Sequence, residues 1–594
     1  MKKEIKFCLL YRDMWQSSGK YVPRVDQLKQ IAPVIIDMGC FDRVETNGGA
    51  FEQVNLLYGE NPNTAVREWV KPFNETGIKT LMLERALNGL RMFPVPADVR
   101  KLMFEVKKAQ GVDIARSFCG LNDPRNLELS VKYAKEAGMI SQGALSITYS
   151  DIHTVDYYMQ VVDKLVEFGT DEIALKDMAG VGRPVMLGKL TKAIKDKYPH
   201  IIVEYHGHSG PGFSVASILE VCKNGADIID VAMEPLSWGM VHPDVITIQA
   251  MLKDAGFEVP EINMKAYMEA RRLTQSFMDD FLGLFIDPKN KVSTSLLVGS
   301  GLPGGMMGSM MADLKGVNSS INSFLRNAGK PEMSEDDLLV SLFEEVEYVW
   351  PKVGNPPLVT PYSQYVKNIA LMNILQMAQG KPRYSNMDKN MWDMILGKTG
   401  KLPGTVAPEI VELAKEKGYE FFTGNPQDNY PDDLPKYREL MKEKGWDEGR
   451  DKEELFEYAM HERQYEDYKS GAAKRNFEKE VETARVQVCA PVATKEPGDQ
   501  KIPKSAAEKM MEQDPALKPV TATVSGMVIW ELAVDEPSQN PPVGTSYKEG
   551  DVICFISAYF GNEEIKSLFS GKLLHVFANQ GDRVSKGDII ALLK

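Results

Sequence analysis

The stretch GALSITYSDIHTVDYYMQVVDKLVEFGTDEIALKD, from Gly143 to Asp177, contains the pattern that decides the fold. An apolar run, Gly143–Tyr149, precedes an amphipathic stretch, Val155–Phe168, and a second apolar run, Glu172–Lys176, follows it. Short apolar runs bounded by turn signals predict buried strands, and apolar residues spaced three and four apart predict a helix. Gly169 follows the helical stretch, at the position where a left-handed cap favours glycine. The stretch therefore predicts a strand–helix–strand unit.

The same alternation extends in both directions, from about residue 4 to residue 256. Its apolar runs are Ile5–Leu9, Arg43–Glu45, Ile78–Leu83, Asp113–Phe118, Gly143–Tyr149, Glu172–Lys176, Ile201–His206 and Ile228–Ala232. Eight strand–helix units in ~250 residues are typical of a (β/α)8 TIM barrel, and we predict this α/β fold. A doubly wound open sheet is the alternative, but the glycine-rich phosphate-binding sequence expected after its first strand is absent.

Polar side chains stand at the ends of several predicted strands. We place Asp13 at the end of the first predicted strand, Arg85 at the end of the third, Arg116 at the end of the fourth and Lys176 at the end of the sixth. The seventh ends in His206 and His208. Any one of them could be an ordinary boundary between strand and loop. Active sites of (β/α)8 barrels, however, form at the C-terminal ends of the strands. Two histidines at i and i+2 of a strand share one face, and imidazole is the commonest protein metal ligand, so we expect a metal site here.

The overall composition excludes several classes of protein. The chain has 594 residues, of which 43% are hydrophobic and 26% charged, as expected for a globular protein with several domains. A net charge of −13 without a basic stripe argues against a nucleic-acid partner. The cysteines are isolated, as in reduced cytosolic proteins, and no apolar run approaches the roughly 18 residues of a membrane span. We therefore expect a cytoplasmic protein.

Beyond the predicted barrel the sequence changes character twice. Residues 261–485 are rich in methionine and helical in pattern, and a polar, proline-bearing linker is predicted over 486–518. From 519 to 594, short β-like runs alternate with turns, and YKEGDVI and VSKGDII are near repeats of one hairpin element. We predict four parts: a barrel domain over 1–260, a helical domain, the linker, and a small all-β domain.

Seven motifs within about residues 4–480 carry a family resemblance. They are RDxxQS (Arg12–Ser17), ExxGGA (Glu45–Ala50), LNDPRN (Leu121–Asn126), ALKDM (Ala174–Met178), HxHS (His206–Ser209), PGG (Pro303–Gly305) and LVTPxSQ (Leu358–Gln364). The chain resembles the carboxyltransferase components of biotin-dependent enzymes: pyruvate carboxylase, the oxaloacetate decarboxylase alpha subunit and the large carboxyltransferase subunit of transcarboxylase. The tail resembles the biotinyl/lipoyl β-barrel of such chains. The resemblance implies a barrel followed by a helical carboxylase domain that completes the active site.

The resemblance also implies residue roles. The implied metal ligands are Asp13, a carbamylated Lys176, His206 and His208, around a divalent ion, zinc first, with cobalt or manganese as alternatives. The implied ligands of the carboxylate and carbonyl of a 2-oxo acid are Arg12, Gln16 and Arg85. The metal would stabilise an enolate as CO2 moves between biotin and a substrate such as pyruvate or oxaloacetate.

The chain departs from the family's motifs in the implied pocket. Trp15 replaces a histidine, Met92 a tyrosine and Cys119 an aspartate. The hydroxyl residue expected to shuttle a proton between substrate and biotin reads Gly308, and the adjacent Ser309 is our candidate for that catalytic role. These changes would enlarge the pocket or exclude water from it. A different oxo acid or an acyl substrate is therefore an alternative to pyruvate and oxaloacetate.

The tail departs from the family at the biotin attachment site. Phe560 stands where relatives offer a lysine within EAMKM, and a phenyl carbon cannot be acylated. Lys566 lies inside a predicted strand, and we expect it to be a solvent-exposed strand residue and not the attachment site. We predict that the chain carries no biotin and receives it in trans from a biotin carboxyl carrier protein. Further predicted partners are a biotin carboxylase or a membrane decarboxylase subunit, and a second copy of the chain in a homodimer.

Two other functions are alternatives to a carboxyltransferase subunit of a multisubunit complex. One is a biotin-independent, metal-dependent lyase or synthase on the same barrel, whose relatives generally lack the ALKDM lysine and the long helical region. The other is a non-catalytic scaffold subunit, which the lost biotinyl lysine would permit. All four implied metal ligands are present, which argues for an enzyme.

Overall fold

The computed structural model describes residues 2–300, 318, 321–326, 331–489, 506–524, 526–530, 543–558, 561–578, 582–584 and 586–594. The chain divides into two compact units, Met1–Pro491 and Val492–Lys594. In the first unit, eight parallel strands close into a barrel in chain order, and the last strand pairs with the first.

The barrel strands are numbered β1 to β8. Their bounds are β1 Lys6–Leu9, β2 Phe41–Gly48, β3 Lys79–Glu84, β4 Ile114–Phe118, β5 Ile140–Ser146, β6 Glu172–Asp177, β7 Ile202–Gly207 and β8 Ile228–Val231. Every predicted strand overlaps an observed one, and the predicted (β/α)8 barrel is confirmed. The clearest shift in position is in β5, which begins at Ile140 and not at Gly143.

The α-helices of the first unit are numbered α1 to α20 over the residues that the structure describes. Those up to the end of the barrel are α1 Tyr11–Ser18, α2 Val25–Asp37, α3 Phe51–Tyr58, α4 Pro62–Thr76, α5 Ala97–Ala109, α6 Pro124–Glu136, α7 Val155–Phe168, α8 Pro184–Lys197, α9 Ser214–Lys223 and α10 Val245–Asp254. Those of the following region are α11 Met264–Asp280, α12 Leu297–Ser300, α13 Glu335–Lys352, α14 Tyr362–Ala378, α15 Lys389–Ile395, α16 Pro408–Glu416, α17 Leu434–Glu443, α18 Glu453–Met460, α19 Glu462–Lys469 and α20 Ala472–Cys489. Short 3-10 helices span Ala86–Asn88, Leu282–Phe285, Pro288–Lys291, Pro426–Asn429 and Arg450–Lys452. The helical content predicted after the barrel is therefore present.

Capping residues explain where the barrel helices begin and end. The side chains of Asn61, Asp123 and Thr154 accept hydrogen bonds from backbone N–H groups in the first turns of α4, α6 and α7. Such caps satisfy donors that have no partner inside the helix. Gly169 ends α7 with φ of 90°, the left-handed conformation that the sequence predicted there.

Charged and polar side chains fill part of the barrel interior, where branched aliphatic residues are usual. This charged layer consists of Arg43, Arg116, Gln142, Glu172, Glu204 and Asp230, all at most 2% exposed. Arg43 Nη1 donates to Glu172 Oε2 at 2.7 Å and to Glu204 Oε2 at 3.0 Å, and Arg116 Nη2 donates to Glu204 Oε1 at 2.6 Å. Burial raises the pKa of Glu204 to about 7. The layer therefore holds its two guanidiniums and three carboxyl groups in direct contact with one another inside the barrel.

The described residues of the second unit form one helix, α21 Ala506–Gln513, and two four-stranded sheets. The strands are β9 Lys518–Thr521, β10 Gly526–Ile529, β11 Ser546–Tyr547, β12 Val552–Ala558, β13 Gly561–Lys566, β14 Gly571–Val576, β15 Arg583–Val584 and β16 Ile589–Leu593. Their orders are β13-β12-β10-β15 and β11-β14-β16-β9. The sheets agree with a small β-domain, and the biotinyl-like barrel stays a prediction.

Of the two positions considered for biotin attachment, the structure describes only Lys566. Phe560 lies outside the described residues. Lys566 ends β13, and its ammonium pairs with Glu564 Oε2 at 3.0 Å on the surface. Among helices that the structure describes, none has both the length and the apolar character needed to cross a bilayer.

Candidate metal and substrate site

The motif RDxxQS lies on the first helix and not at the end of the first strand. β1 ends at Leu9, and α1 begins at Tyr11. The apolar run continues through Leu10 and Tyr11, which hides this boundary in the sequence. On α1, Arg12 and Gln16 are one turn apart, and Arg12 Nη1 donates to Gln16 Oε1.

Four buried side chains bring potential ligand atoms to one point at the C-terminal end of the barrel. They are Asp13, His206, His208 and His242, and their ligand atoms all lie within 4.8 Å of one another. Three of them were predicted as ligands. His242 was not, because a single histidine in the loop after β8 has no spacing that relates it to HxH. The available signal was only its place after the eighth strand.

An oxygen acceptor fixes the orientation of each imidazole. His206 Nδ1 donates to Asp230 Oδ2 at 2.8 Å, and His208 Nδ1 donates to Met240 O at 2.8 Å. His242 Nδ1 donates to Gly207 O at 3.0 Å. Because a carboxylate or carbonyl oxygen can only accept, the proton of each neutral ring lies on Nδ1. Arg116 Nη1 also lies 3.2 Å from His206 Nδ1, but the contact of that atom with Asp230 is shorter. The Nε2 lone pairs therefore point into the cluster. Partners of this kind orient metal-binding histidines in proteins.

The lone pairs of the cluster lie close together. His206 Nε2 is 3.2 Å from His208 Nε2, and Asp13 Oδ2 is 3.3 Å from His208 Nε2 and 2.9 Å from His242 Nε2. Acceptor atoms at such distances repel unless a cation lies among them. Nitrogen and carboxylate donors match the preferences of zinc and similar divalent ions. The residues present therefore fit a divalent metal.

Burial and neighbouring charges set the ionisation of these ligands. Burial alone would raise the pKa of Asp13, but His208, His242 and Arg12 hold it well below its usual value. Burial lowers the pKa of His242 to about 3, and burial together with Lys176 lowers the pKa of His206 well below its ordinary value. At neutral pH Asp13 is a carboxylate and His206 and His242 are neutral imidazoles, which are the forms that bind metals.

Lys176 lies beside the cluster near the end of β6. Its Nζ is 3.2 Å from His206 Nε2 and 5.3 Å from the centre of the Phe118 ring, and the residue is 1% exposed. Burial lowers the pKa of Lys176 to about 8, because a charged ammonium is poorly solvated there. The neutral amine is the form that reacts with CO2, so this position is suited to the predicted carbamate.

Arg12 is bound by groups of the protein itself. The residue is 2% exposed, and its guanidinium donates to Glu45 Oε1 at 2.7 Å, Gly49 O at 3.0 Å and Asp13 Oδ1 at 3.1 Å. These bonds orient Asp13 toward the cluster. Gln16 is half-buried. Direct contact of Arg12 and Gln16 with a substrate stays a prediction.

Arg85 opens onto a cavity at the boundary between barrel and helical region. The cavity is lined by Arg85, Leu87, Asn88, Phe118, Cys119, Gly120, Asn126, Thr360, Pro361 and Tyr362. Arg85 Nη1 donates to Leu90 O at 2.8 Å, and no described carboxylate forms an ion pair with it. Burial, and then the charge of Arg12, lowers the pKa of Arg85 to about 10, so it stays cationic at neutral pH. A cationic fork without an ion-pair partner is suited to bind an anion.

Two glycines make this cavity possible. A Cβ at Gly49 would lie 2.5 Å from Arg85 Nη2, and one at Gly120 would lie 2.6 Å from the ring of Tyr362. The second glycine of ExxGGA therefore admits the arginine. Gly120 lets the LVTPxSQ segment, through Tyr362, close against the barrel.

The departures from the family's motifs lie in different surroundings. Cys119 lines the cavity and is 3% exposed. Trp15 is 1% exposed and packs edge-on against Tyr11, and because it follows Asp13 by two helical residues it points about 200° away from the cluster. Met92 is half-buried. The PGG motif, Gly308 and the candidate Ser309 lie outside the described residues.

Two family models and several relatives of known name are similar to this chain. A model of a conserved carboxylase domain matches residues 332–509, and an HMGL-like model matches residues 124–272. A pyruvate carboxylase subunit of Methanocaldococcus jannaschii is 27% identical over 98% of this chain and 92% of its own length. The methylmalonyl-CoA carboxyltransferase 5S subunit of Propionibacterium freudenreichii subsp. shermanii is 28% identical over 72% of this chain and 79% of its own.

A solved structure shares the fold. The carboxyl transferase domain of Rhizobium etli pyruvate carboxylase superposes with a TM-score of 0.68 at 21% identity, over 80% of this chain and 78% of that domain. By its two family models and its relatives, the chain matches a carboxyltransferase subunit.

Proposed function

We propose that the chain moves CO2 between carboxybiotin on a separate carrier and a 2-oxo acid of the pyruvate or oxaloacetate type. One observation carries the proposal: converging metal-ligand atoms and Lys176 lie at the end of the barrel where Arg85, without an ion-pair partner among the described residues, opens onto a cavity. Relatives named for pyruvate carboxylation and for carboxyl transfer align with most of the chain, which supports the same reaction class.

Asp13, His206, His208 and a carbamate on Lys176 would hold the metal. Zinc is the leading candidate, with cobalt or manganese as alternatives. When bound, the ion would act as a Lewis acid toward the keto oxygen of the substrate. Lys176 reacts with CO2 as the neutral amine, since its nitrogen lone pair forms the new bond and a proton then leaves the nitrogen. The product is an anionic oxygen donor, which an ammonium cannot be.

Arg85 would bind the substrate carboxylate through two parallel N–H bonds. Arg12 keeps Asp13 and Gln16 in place, and both Arg12 and Gln16 face the substrate's polar end in this proposal. Burial raises the pKa of Cys119 to about 11, so a neutral thiol occupies the position of the family's aspartate. The substitution removes an anion that would compete for Arg85. Ser309 would carry the proton between the substrate's methyl carbon and biotin.

The remaining assignments concern assembly. We keep the four-part division into a barrel domain over 1–260, a helical domain over 261–485, a linker over 486–518 and a biotinyl-like domain over 519–594. Biotin would arrive on a separate carrier protein, and the tail would serve as a docking module. A homodimer in a cytoplasmic complex with a biotin carboxylase, or with a membrane decarboxylase subunit, completes the proposal.

Carboxyl transfer by the purified chain tests the proposal. The protein is supplied with a biotinylated carrier and a series of 2-oxo acids and acyl-CoA thioesters, and the wild type is compared with Lys176→Ala and with Lys192→Ala, a solvent-exposed control. We expect near-stoichiometric bound metal, avidin-sensitive transfer with a 2-oxo acid, and loss of transfer in Lys176→Ala alone. Full activity of Lys176→Ala, or a wild type that takes up no metal after supplementation, would refute it.

A further inference from the structure

We infer that His242 is a direct metal ligand, and that Asp13 and the three histidines retain the ion without the carbamate of Lys176. The inference rests on the metal site of the proposed function. It adds a ligand that none of the sequence motifs contains, and it separates metal retention from the modification of Lys176.

The position of His242 supports direct ligation. The residue is fully buried, and its ring centre lies 4.0 Å from that of His208 and 4.5 Å from that of His206. Its Nδ1 donates to Gly207 O at 3.0 Å, which leaves the Nε2 lone pair facing Asp13 Oδ2 at 2.9 Å. Two acceptors held face to face at this distance need a shared cation.

The spacing of the donor atoms fits one ion. Metal bonds of about 2.1 Å place neighbouring ligand atoms about 3.0 Å apart at right angles and about 3.4 Å apart at tetrahedral angles. The three measured separations are 2.9 Å between His242 Nε2 and Asp13 Oδ2, 3.2 Å between His206 Nε2 and His208 Nε2, and 3.3 Å between His208 Nε2 and Asp13 Oδ2. All three lie within or close to that interval.

The loop after β8 holds His242 in a tight turn. Trp238 N–H donates to His242 O at 2.8 Å, and Val241 N–H donates to Trp238 O at 2.9 Å. Met240 in the same turn supplies the carbonyl that accepts from His208 Nδ1 at 2.8 Å. One turn therefore contributes one ligand and orients another, as expected of a segment built for the site and not of a histidine that lies nearby by chance.

The donor set is complete without Lys176. Three imidazole nitrogens and one carboxylate oxygen provide the four donors that zinc usually takes. Lys176 meets the edge of this set, where its Nζ lies 3.2 Å from His206 Nε2. The modified lysine would thus add a fifth donor for reaction, while the other four residues hold the ion.

Cobalt binding to the metal-free chain tests the inference. Stoichiometry, affinity in competition with a chelator and the visible d–d absorption of Co²⁺ are measured for the wild type, His242→Ala, Lys176→Ala and His153→Ala, with zinc as the competing ion. His153 is a matched control because it is also buried and stacks on Trp350 away from the cluster. For His242→Ala we expect an altered cobalt spectrum and a loss of affinity no smaller than the about 10- to 100-fold that loss of an outer-shell partner costs. The other two variants should bind within about threefold of the wild type.

Each other outcome has a definite meaning. Wild-type affinity and spectrum in His242→Ala would show that His242 only forms an ion pair with Asp13, and loss of metal in Lys176→Ala would show that the carbamate is required; either overturns the inference and leaves the proposed function standing. A wild type that binds no cobalt or zinc overturns both. If His242→Ala unfolds by circular dichroism, His242→Gln, which retains a donor for Gly207 O, replaces it with the same expectations.

Discussion

Replacing Lys176 by methionine should stabilise the metal-free protein. Lys176 is 1% exposed, and burial lowers its pKa from 10.5 to about 8. A pKa difference of one corresponds to about 1.4 kcal/mol, so holding the charged ammonium in the folded state at pH 7 costs about 3 kcal/mol. Methionine fills a similar volume without the charge. We expect Lys176→Met to raise the free energy of unfolding by up to about 3 kcal/mol at pH 7.

The pH dependence of this gain has a definite sign. Between the folded pKa of about 8 and the unfolded value of 10.5, the unfolded chain binds a proton at Lys176 that the folded chain does not. Stability of the wild type therefore rises with pH across this window, because the state that loses the proton is favoured. The advantage of Lys176→Met should be fully present below about pH 8 and should vanish near pH 10.5.

Calorimetry of metal-free protein in CO2-depleted buffer measures the effect. An unfolding entropy of about 2 cal/mol/K per residue gives about 1 kcal/mol/K for the first unit, so the melting temperature should rise by about 3 °C at pH 7. Lys192→Met is the control, since that side chain is 62% exposed. A lower melting temperature at pH 7, or a gain that does not shrink toward pH 10, would show that the folded protein holds the amine without cost.

Three further changes test other parts of the structure. Asp230→Asn removes the carboxylate that orients His206, and metal affinity measured by chelator competition should fall about 10- to 100-fold; unchanged affinity would show that the orientation does not depend on it. Arg85→Lys keeps the charge but loses the two-pronged geometry, so KM for the 2-oxo acid should rise about 10- to 100-fold with a smaller change in kcat, and an unchanged KM would exclude Arg85 from substrate binding. Burial raises the pKa of Glu457, on α18, from 4.5 to about 8, so wild-type stability should fall as the pH rises from 4.5 to 8. In denaturant titrations at pH 8, Glu457→Gln should therefore be more stable than the wild type by up to about 4 kcal/mol. An identical pH dependence in both proteins would contradict that assignment.

The barrel could be predicted because its signals are local. Each strand is a short apolar run, and caps such as Asp123 and Thr154 mark where helices begin. Once the barrel is assumed, the ends of neighbouring strands must meet, which brings Lys176 and His206 together. Their pairing across β6 and β7 follows from that arrangement.

The remaining features depend on tertiary contacts that leave no periodic trace. The helical position of Asp13 was hidden because apolar residues continue across the end of β1 into α1. His242 lies in an irregular loop, and only the folded chain brings it 2.9 Å from Asp13. The partners in the charged layer, such as Arg43 and Glu172, are far apart in sequence and look like isolated polar residues at strand borders.

The charged layer also limits how this barrel can change over evolutionary time or by engineering. Breaking one buried ion pair leaves an uncompensated charge and destabilises a protein by about 3–5 kcal/mol, a large part of a typical folding free energy. Arg116 pairs with Asp230, and Asp230 accepts a hydrogen bond from His206, so the charged layer and the cluster of potential metal ligands are physically coupled. Introducing the histidine pair into a barrel with an aliphatic interior would therefore require introducing the whole charged layer with it.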